Sequence, residues 1–483
     1  MLQLPVEDME PAPGHAVEWA VSSAGTAGRA EGSDPGALAS YNQKDHFSVA
    51  QSLRAADIGY SSYIGGSFEI RGRVDLDALE AALLHFVRRH DVLRCDFGEP
   101  GAGAGTGTGE GAGTVEGADG PVLRVVPPQD VKLERVDVGR LDTPAETRAY
   151  VLRFLQGTDT LRGPWIVMGA LLRDDSATVY FACDHLLADG VSTPVAVRDI
   201  AEAYEAYAQG REPVLPPADG FLGYATAERH RGAAMGPDDA LLDHWKGFVA
   251  RNGGELFPRF PLDLGIEPGV VYRAVNEADA LLPADRLDAM EAHCRAVGGR
   301  VSTGVLAALG VSLRREGGPD VHRALLPVST RDRGPGAHSM GWFVNTLPVE
   351  FRVADETDFA GVMAGAQSAL DAMRPYAEAP FVRVFDLLTC DQDGPQVWPY
   401  AVSFFSYLDF RTTPGADRHE ELKARKYVST SHSNGIFFWF HRNDTGLHLN
   451  SIFVDTPQAR RTKTALVGTL VRSLDSIART GRF

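Results

Sequence analysis

The segment FACDHLLADGVSTP, residues 181–194, holds the side chains best suited to chemistry. His185 follows an apolar run typical of a buried strand, and the Asp189-Gly190 pair after it marks a turn. Thr193 can cap the helix that is predicted to follow. The surroundings of an imidazole at a strand end can set its pKa near neutrality, which suits a general base. A turn histidine bonded to the backbone is the alternative that this local pattern leaves open.

Other catalytic signatures are absent from the sequence. It has no G-x-S-x-G elbow, no G-x-x-x-x-G-K-[ST] loop and no H-E-x-x-H pair, and its fourteen histidines show no metal-ligand spacing. The net charge of −17 argues against nucleic-acid binding. Four widely separated cysteines predict free thiols in a reducing compartment. Without a signal peptide or a run long enough to span a bilayer, we expect a cytoplasmic protein with no membrane span.

The elements around this segment predict the architecture. Helices and strands mix without strict β–α alternation, which favours an α+β fold with mixed sheets. A chain of 483 residues is too long for one ordinary domain, and the proline-rich stretch 212–220 predicts a boundary between lobes 1–215 and 216–483. Residues 16–23 alternate like an edge strand, and the glycine-rich residues 100–120 predict a dispensable surface loop.

The motif DHLLADG, residues 184–190, resembles the H-H-x-x-x-D-G motif of the chloramphenicol-acetyltransferase-like superfamily. This superfamily includes nonribosomal-peptide condensation domains, carnitine acyltransferases and polyketide-associated (Pap-type) acyltransferases. The second motif histidine matches His185, whereas Asp184 stands where the first is usual. Three further segments resemble the family and occur in its order: LDALEAALLHFVRRHDVLRCDF (76–97), LLPVSTRDR (325–333) and GWFVNTLPVEF (341–351), the last of which looks like a strand of condensation domains. VEWAVSS (17–23) followed by SYNQKDHF (40–47) looks more like Pap-type proteins than like domains cut from peptide synthetases.

The resemblance implies a V of two α+β lobes with the active site in a tunnel between them, and a segment of the second lobe that crosses back to the first. It implies that His185 is the catalytic base, and that Asp189 is structural and pairs with Arg331. Gly190 would let the backbone turn closely beside the tunnel. Strand side chains alternate, so Asp184 is expected to point into the lobe and to need a hydrogen-bond donor there.

The sequence leaves three alternative roles for Asn345. It can line the tunnel, bond a crossing backbone segment, or be a core asparagine satisfied by its neighbours.

The function implied is acyl transfer from a carrier-protein or coenzyme A thioester to a hydroxyl or amine acceptor, in lipid or natural-product biosynthesis. No bound cofactor and no metal are expected. An acyl or peptidyl carrier protein would be a transient partner, docking at a basic patch such as KARK (423–426) or RHR (229–231). A non-catalytic docking platform or a cyclase of the same fold is the alternative, and thiol release from an acyl thioester distinguishes them.

Overall fold

The fold is α+β with mixed sheets, as predicted. The computed structural model describes residues 1–23, 37–98, 120–267, 269–331, 334–354, 358–389 and 400–483. The first part of the chain contains β1 (Leu2–Pro5), β2 (Gly14–Ser23), α1 (Tyr41–Ala55), β3 (Ser62–Arg71), α2 (Leu76–Arg89), β4 (Cys95–Gly98), β5 (Val122–Val125), β6 (Val131–Leu141), α3 (Pro144–Leu155), β7 (Ile166–Leu172), β8 (Ser176–Asp184) and α4 (Ser192–Ala208).

The second part contains more helix. Its elements are α5 (Phe221–Ala234), α6 (Asp243–Arg251), β9 (Tyr272–Pro283), α7 (Ala284–Ala296), α8 (Val301–Arg315), β10 (Val321–Ser329), β11 (Val344–Arg352), α9 (Phe359–Met373), α10 (Phe381–Leu388), β12 (Phe405–Asp409), β13 (Arg425–Thr430), β14 (His432–Ser433), β15 (Ile436–Asn443), β16 (Gly446–Val454) and α11 (Pro457–Thr480).

A seven-stranded mixed sheet in the order β1-β13-β3-β8-β7-β2-β6 carries the segment 181–194. Helices α2 and α4 pack on one face, and α3 packs on the other. Helix α2 forms because Asp75 caps it, accepting hydrogen bonds from the Asp77 and Ala78 backbone N–H groups, and because Leu79, Leu83 and their neighbours make one apolar face. This packing on both faces of the sheet holds the end of β8 in position.

Strand β13 belongs to the second part of the chain but pairs within the first sheet. It runs parallel to β1 and antiparallel to β3, with Lys426 opposite Gln3 on one side and Gly66 on the other. This exchange matches the crossing segment that the resemblance implied. The division of the chain at residue 215 stays a prediction.

A second sheet, in the order β12-β15-β16-β9-β14, faces the other side of the central cavity. The β10–β11 hairpin joins it through a bridge between Leu325 and Phe404. Helices α7, α8, α9 and α11 bury the apolar side of these strands. In the part of the chain that the structure describes, no single helix is long and apolar enough to cross a bilayer; α7 and α8, bent by 95°, pass that test only together.

Two local predictions are wrong. Strand β2 is not an edge strand, because β6 pairs along its outer side; β6 was missed since its charged residues lack a clear apolar alternation. Thr193 does not cap α4, which begins at Ser192; the Asp189 carboxylate accepts the Val191 and Ser192 backbone N–H groups instead. The predicted loop 100–120 falls, except for residue 120, outside the described residues.

Candidate active site

A cavity of about 1110 Å³ lies between the two sheets, and His185 is part of its wall. The histidine begins a short 3-10 helix, His185–Leu187, directly after β8. Its Nδ1 is buried without a hydrogen-bond partner among the described residues. The site is therefore built where a central strand ends against open space.

Burial mainly determines the protonation of His185, which lies among aromatic rings and a second histidine. The Trp342 ring lies over it, with centroids 3.9 Å apart and planes tilted by 39°, and the His46 ring centroid is 5.8 Å away. Burial, and secondarily the charge of a protonated His46, lower the pKa of His185 to about 4. The imidazole is thus neutral at pH 7 and has a free lone pair for a proton, but its pKa lies below the near-neutral value expected from the sequence, because burial disfavours the charged form.

Asp184 points away from the cavity, as the strand alternation predicted. It is 1% exposed, and its carboxylate accepts hydrogen bonds from Thr160 Oγ1 at 2.5 Å and from the Leu186 backbone N–H at 2.9 Å. His46 Nε2 lies 3.6 Å from Asp184 Oδ1. The carboxylate holds the turn after β8 and lies within ion-pair distance of His46, to which it makes no hydrogen bond.

Asp189 and Arg331 form the buried pair that the resemblance implied. The guanidinium donates from Nη2 to Oδ1 at 2.8 Å and from Nε to Oδ2 at 3.2 Å. Burial alone would raise the pKa of Asp189, but the charge and hydrogen bonds of Arg331 outweigh it and the net shift is downward. The Phe343 backbone N–H also donates to Asp189, at 3.1 Å. One carboxylate thus ties the histidine turn to the segment carrying Trp342.

Gly190 lines the cavity, but the reason given for it from the sequence is wrong. Its φ lies outside the left-handed region, and an added Cβ would be 3.5 Å from Lys426 Nζ, an ordinary contact. The turn therefore does not require glycine. What the missing side chain provides is open space between the turn and the lysine.

Asn345 bonds backbone and does not appear among the described residues that line the cavity. Its Nδ2 donates to the carbonyls of Ala377 and Ala379 at 2.8 and 2.7 Å, and its Oδ1 accepts from the Phe381 N–H at 2.9 Å. It fixes the segment that leads into α10. Of the three roles left open, backbone bonding is the one observed.

The sequence analysis did not assign three of the cavity residues to the site: His46, Trp342 and Lys426. His46 and Trp342 lay within quoted segments, SYNQKDHF and GWFVNTLPVEF, but no pattern indicated that they meet at His185. Lys426 was assigned to a surface patch. It is 4% exposed and lines the cavity, so KARK is not a continuous docking patch.

The rest of the cavity wall is mainly apolar. Strand β15 contributes Phe437 and Trp439, and Phe404 precedes β12; the ring centroids of these three residues lie 5.7–5.8 Å apart. Helix α10 adds Phe381 and Phe385. Such a wall can bury a long acyl chain. No cluster of three or more potential metal-ligating side chains occurs in the described part of the chain.

The fold and this site define an acyl-transferring enzyme with the chloramphenicol-acetyltransferase-like architecture. The family model for the Condensation domain matches residues 51–434, so the chain belongs to that family. Among its relatives in Mycobacterium tuberculosis, "2'-acyl-2-O-sulfo-trehalose (hydroxy)phthioceranyltransferase PapA1" is 26% identical over 79% of this chain and 70% of its own length. "Acyltransferase PapA3" is 24% identical over 99% and 97%.

Solved structures share the fold. A "PapA2 acyl transferase" superposes with a TM-score of 0.85 at 22% identity, covering 99% of this chain and 100% of the other. The X-domain from teicoplanin biosynthesis superposes with a TM-score of 0.67 at 20% identity, covering 95% and 97%. The architecture is therefore common to proteins of diverging sequence.

Proposed function

We propose that this enzyme esterifies a hydroxyl group of a carbohydrate with a long acyl chain taken from a thioester. The observation that carries the proposal is the position of the His185 imidazole at the wall of a large, mainly apolar cavity. The relatives' names support a carbohydrate acceptor, since PapA1 and "Trehalose-2-sulfate acyltransferase PapA2" are named for sulfated trehalose.

The chemistry needs one base and good positioning. His185 Nε2 would take the proton as the acceptor oxygen attacks the thioester carbonyl, so that a C–O bond forms. The tetrahedral intermediate would then expel the thiolate, which receives the proton back from the imidazolium and leaves as a thiol. The thioester is already activated, and holding the two substrates in one cavity supplies much of the remaining rate.

The donor is proposed to be an acyl group on coenzyme A or on the phosphopantetheine arm of a carrier protein. Both present the same thioester to His185. A carrier would dock transiently outside the cavity, and the segment 229–231, in which Arg231 is exposed, is the basic patch proposed for it. Charge reversal at Arg231 should raise the Michaelis constant only for a carrier-bound donor.

The test is thiol release from palmitoyl-coenzyme A in the presence of trehalose or trehalose 2-sulfate, with the ester identified by mass spectrometry. His185→Ala should fold normally and lose roughly 10²–10⁴ in turnover. His15→Ala is the matched control, because His15 is exposed and bonds only Asp137 among the described residues. If His185→Ala turns over like the parent, the mechanism is wrong; if no thioester releases thiol, the platform or cyclase alternative replaces it.

A further inference from the structure

A second polar cluster lies in the same cavity, on the exchanged strand. Gln3 of β1 and Lys426 of β13 are paired in register, so their side chains share one face of the sheet. His441 of β15 meets them, and its Nε2 accepts the Gln3 backbone N–H at 3.3 Å. All three residues line the cavity and are at least nine-tenths buried.

The cluster has more hydrogen-bonding capacity than the protein uses. Lys426 Nζ donates to the Gly190 carbonyl at 3.2 Å and forms no salt bridge with any described residue. Gln3 Nε2 and His441 Nδ1 are buried and lack a partner among the described residues. Buried polar groups in native proteins are normally satisfied, and exceptions call for a missing partner.

No carboxylate of the described residues forms a salt bridge with the Lys426 ammonium. Asp189 acts on Lys426 through its charge, but its oxygens are already engaged by Arg331, Ser192 and backbone N–H groups. Burial lowers the pKa of Lys426 to about 8, which still leaves it mostly protonated at pH 7. A buried cation without a counter-ion is costly unless a ligand supplies one.

The cluster lies close to the reacting centre. Asp184, next to His185, pairs with Tyr63, and Tyr63 pairs with Ser429. Lys426 is three residues from Ser429 along β13, roughly 10 Å at the rise of a strand, and its Nζ donates to the Gly190 carbonyl in the turn after His185. A group bound there would lie in the cavity beside that turn.

We propose that Lys426 and Gln3 bind an anionic oxygen group, a sulfate or phosphate ester, carried by a substrate of the proposed acyl transfer. The ammonium supplies the charge and the Gln3 amide supplies a second donor. The anion can come from the acceptor, as a sugar sulfate, or from the donor, as a coenzyme A phosphate. Proximity to His185 favours the acceptor, since a full pantetheine arm separates the donor's phosphates from its thioester.

Binding measured without turnover tests this subsite independently of the reaction. Calorimetric titration of the full chain with trehalose 2-sulfate, trehalose, coenzyme A and pantetheine separates the two sources. Lys426→Met should weaken binding of trehalose 2-sulfate roughly 10- to 100-fold, the worth of a charge-assisted hydrogen bond, and leave trehalose unchanged. Lys426→Arg should retain most of the affinity.

Lys423→Met is the matched control: this lysine precedes the same strand but bonds Glu69 at 2.8 Å outside the cavity. A loss confined to coenzyme A, with pantetheine unaffected, assigns the subsite to the donor phosphate. Equal affinities of parent and Lys426→Met for every ligand would overturn the proposal. If the parent releases no thiol but binding still depends on Lys426, the subsite stands and the acyl transfer fails.

Discussion

The buried Asp189–Arg331 pair gives the sharpest quantitative prediction. Asp189 is 2% exposed and the Arg331 side chain 4%, so Asp189→Ala leaves a guanidinium buried without its counter-ion. Removing one partner of a buried pair costs about 3–5 kcal/mol. At about 2.1 cal/mol/K of unfolding entropy per residue, a cooperative transition of all 483 residues converts this loss into a fall of about 3–5 °C in Tm.

Activity should fall with stability in this variant. The Asp189 carboxylate holds both the turn after His185 and the Phe343 backbone N–H, and the residue before Phe343 is Trp342, which covers the histidine. Without this carboxylate, the His185 imidazole is no longer held in its position under Trp342. We therefore expect a lower kcat for the Asp189→Ala protein even at temperatures where it remains folded.

Thermal melts and initial rates with a matched surface variant provide the assay. Asp96→Ala removes the carboxylate of an exposed pair with Arg124 and should change the free energy of unfolding by less than about 1 kcal/mol. The double variant Asp189→Ala/Arg331→Met should recover part of the lost stability, because it also removes the stranded charge. A Tm for Asp189→Ala as close to the parent's as that of Asp96→Ala would refute this reasoning.

Two further predictions concern the neighbours of His185. The acid limb of the kcat/KM profile should lie near pH 4. His46→Ala should move this limb to higher pH, because a positive charge that lowers the pKa of His185 is lost. An unmoved limb excludes this role for His46. Asp184→Ala deprives Thr160 Oγ1 and a buried backbone N–H of their acceptor, so thermal melts should show a loss of about 1–3 kcal/mol while the folded fraction keeps much of its activity; unchanged melting would contradict it.

Strong local patterns were enough to predict many elements. Helix α2 carries both an apolar face and the Asp75 cap, and β8 is a continuous apolar run, so local patterns indicate both elements. Short or charged strands were not predicted. Strand β13, RKYVST, has too few apolar residues to alternate visibly, and its lysine was interpreted as surface.

The residues of the site also fall into a group that could be predicted from the sequence and a group that could not. The motif in residues 184–190 and the arginine at 331 could be matched to a family pattern, because those residues keep a fixed spacing or a recognisable segment. His46, Trp342 and Lys426 could not be assigned to the site. They come from a helix, a loop and an exchanged strand, and only packing brings them within reach of one cavity.

The α+β class, the histidine at the end of β8, and the acid and arginine that hold its turn could be predicted from the residues alone, since each depends on local order or on a motif. The surroundings of that histidine depend on long-range packing. Strand pairing sets Lys426 opposite Gln3, 423 residues away in the chain, and buries it in the cavity. Sheet register has no local signature for such distant partners, so the charge that faces the substrate emerged only from the fold.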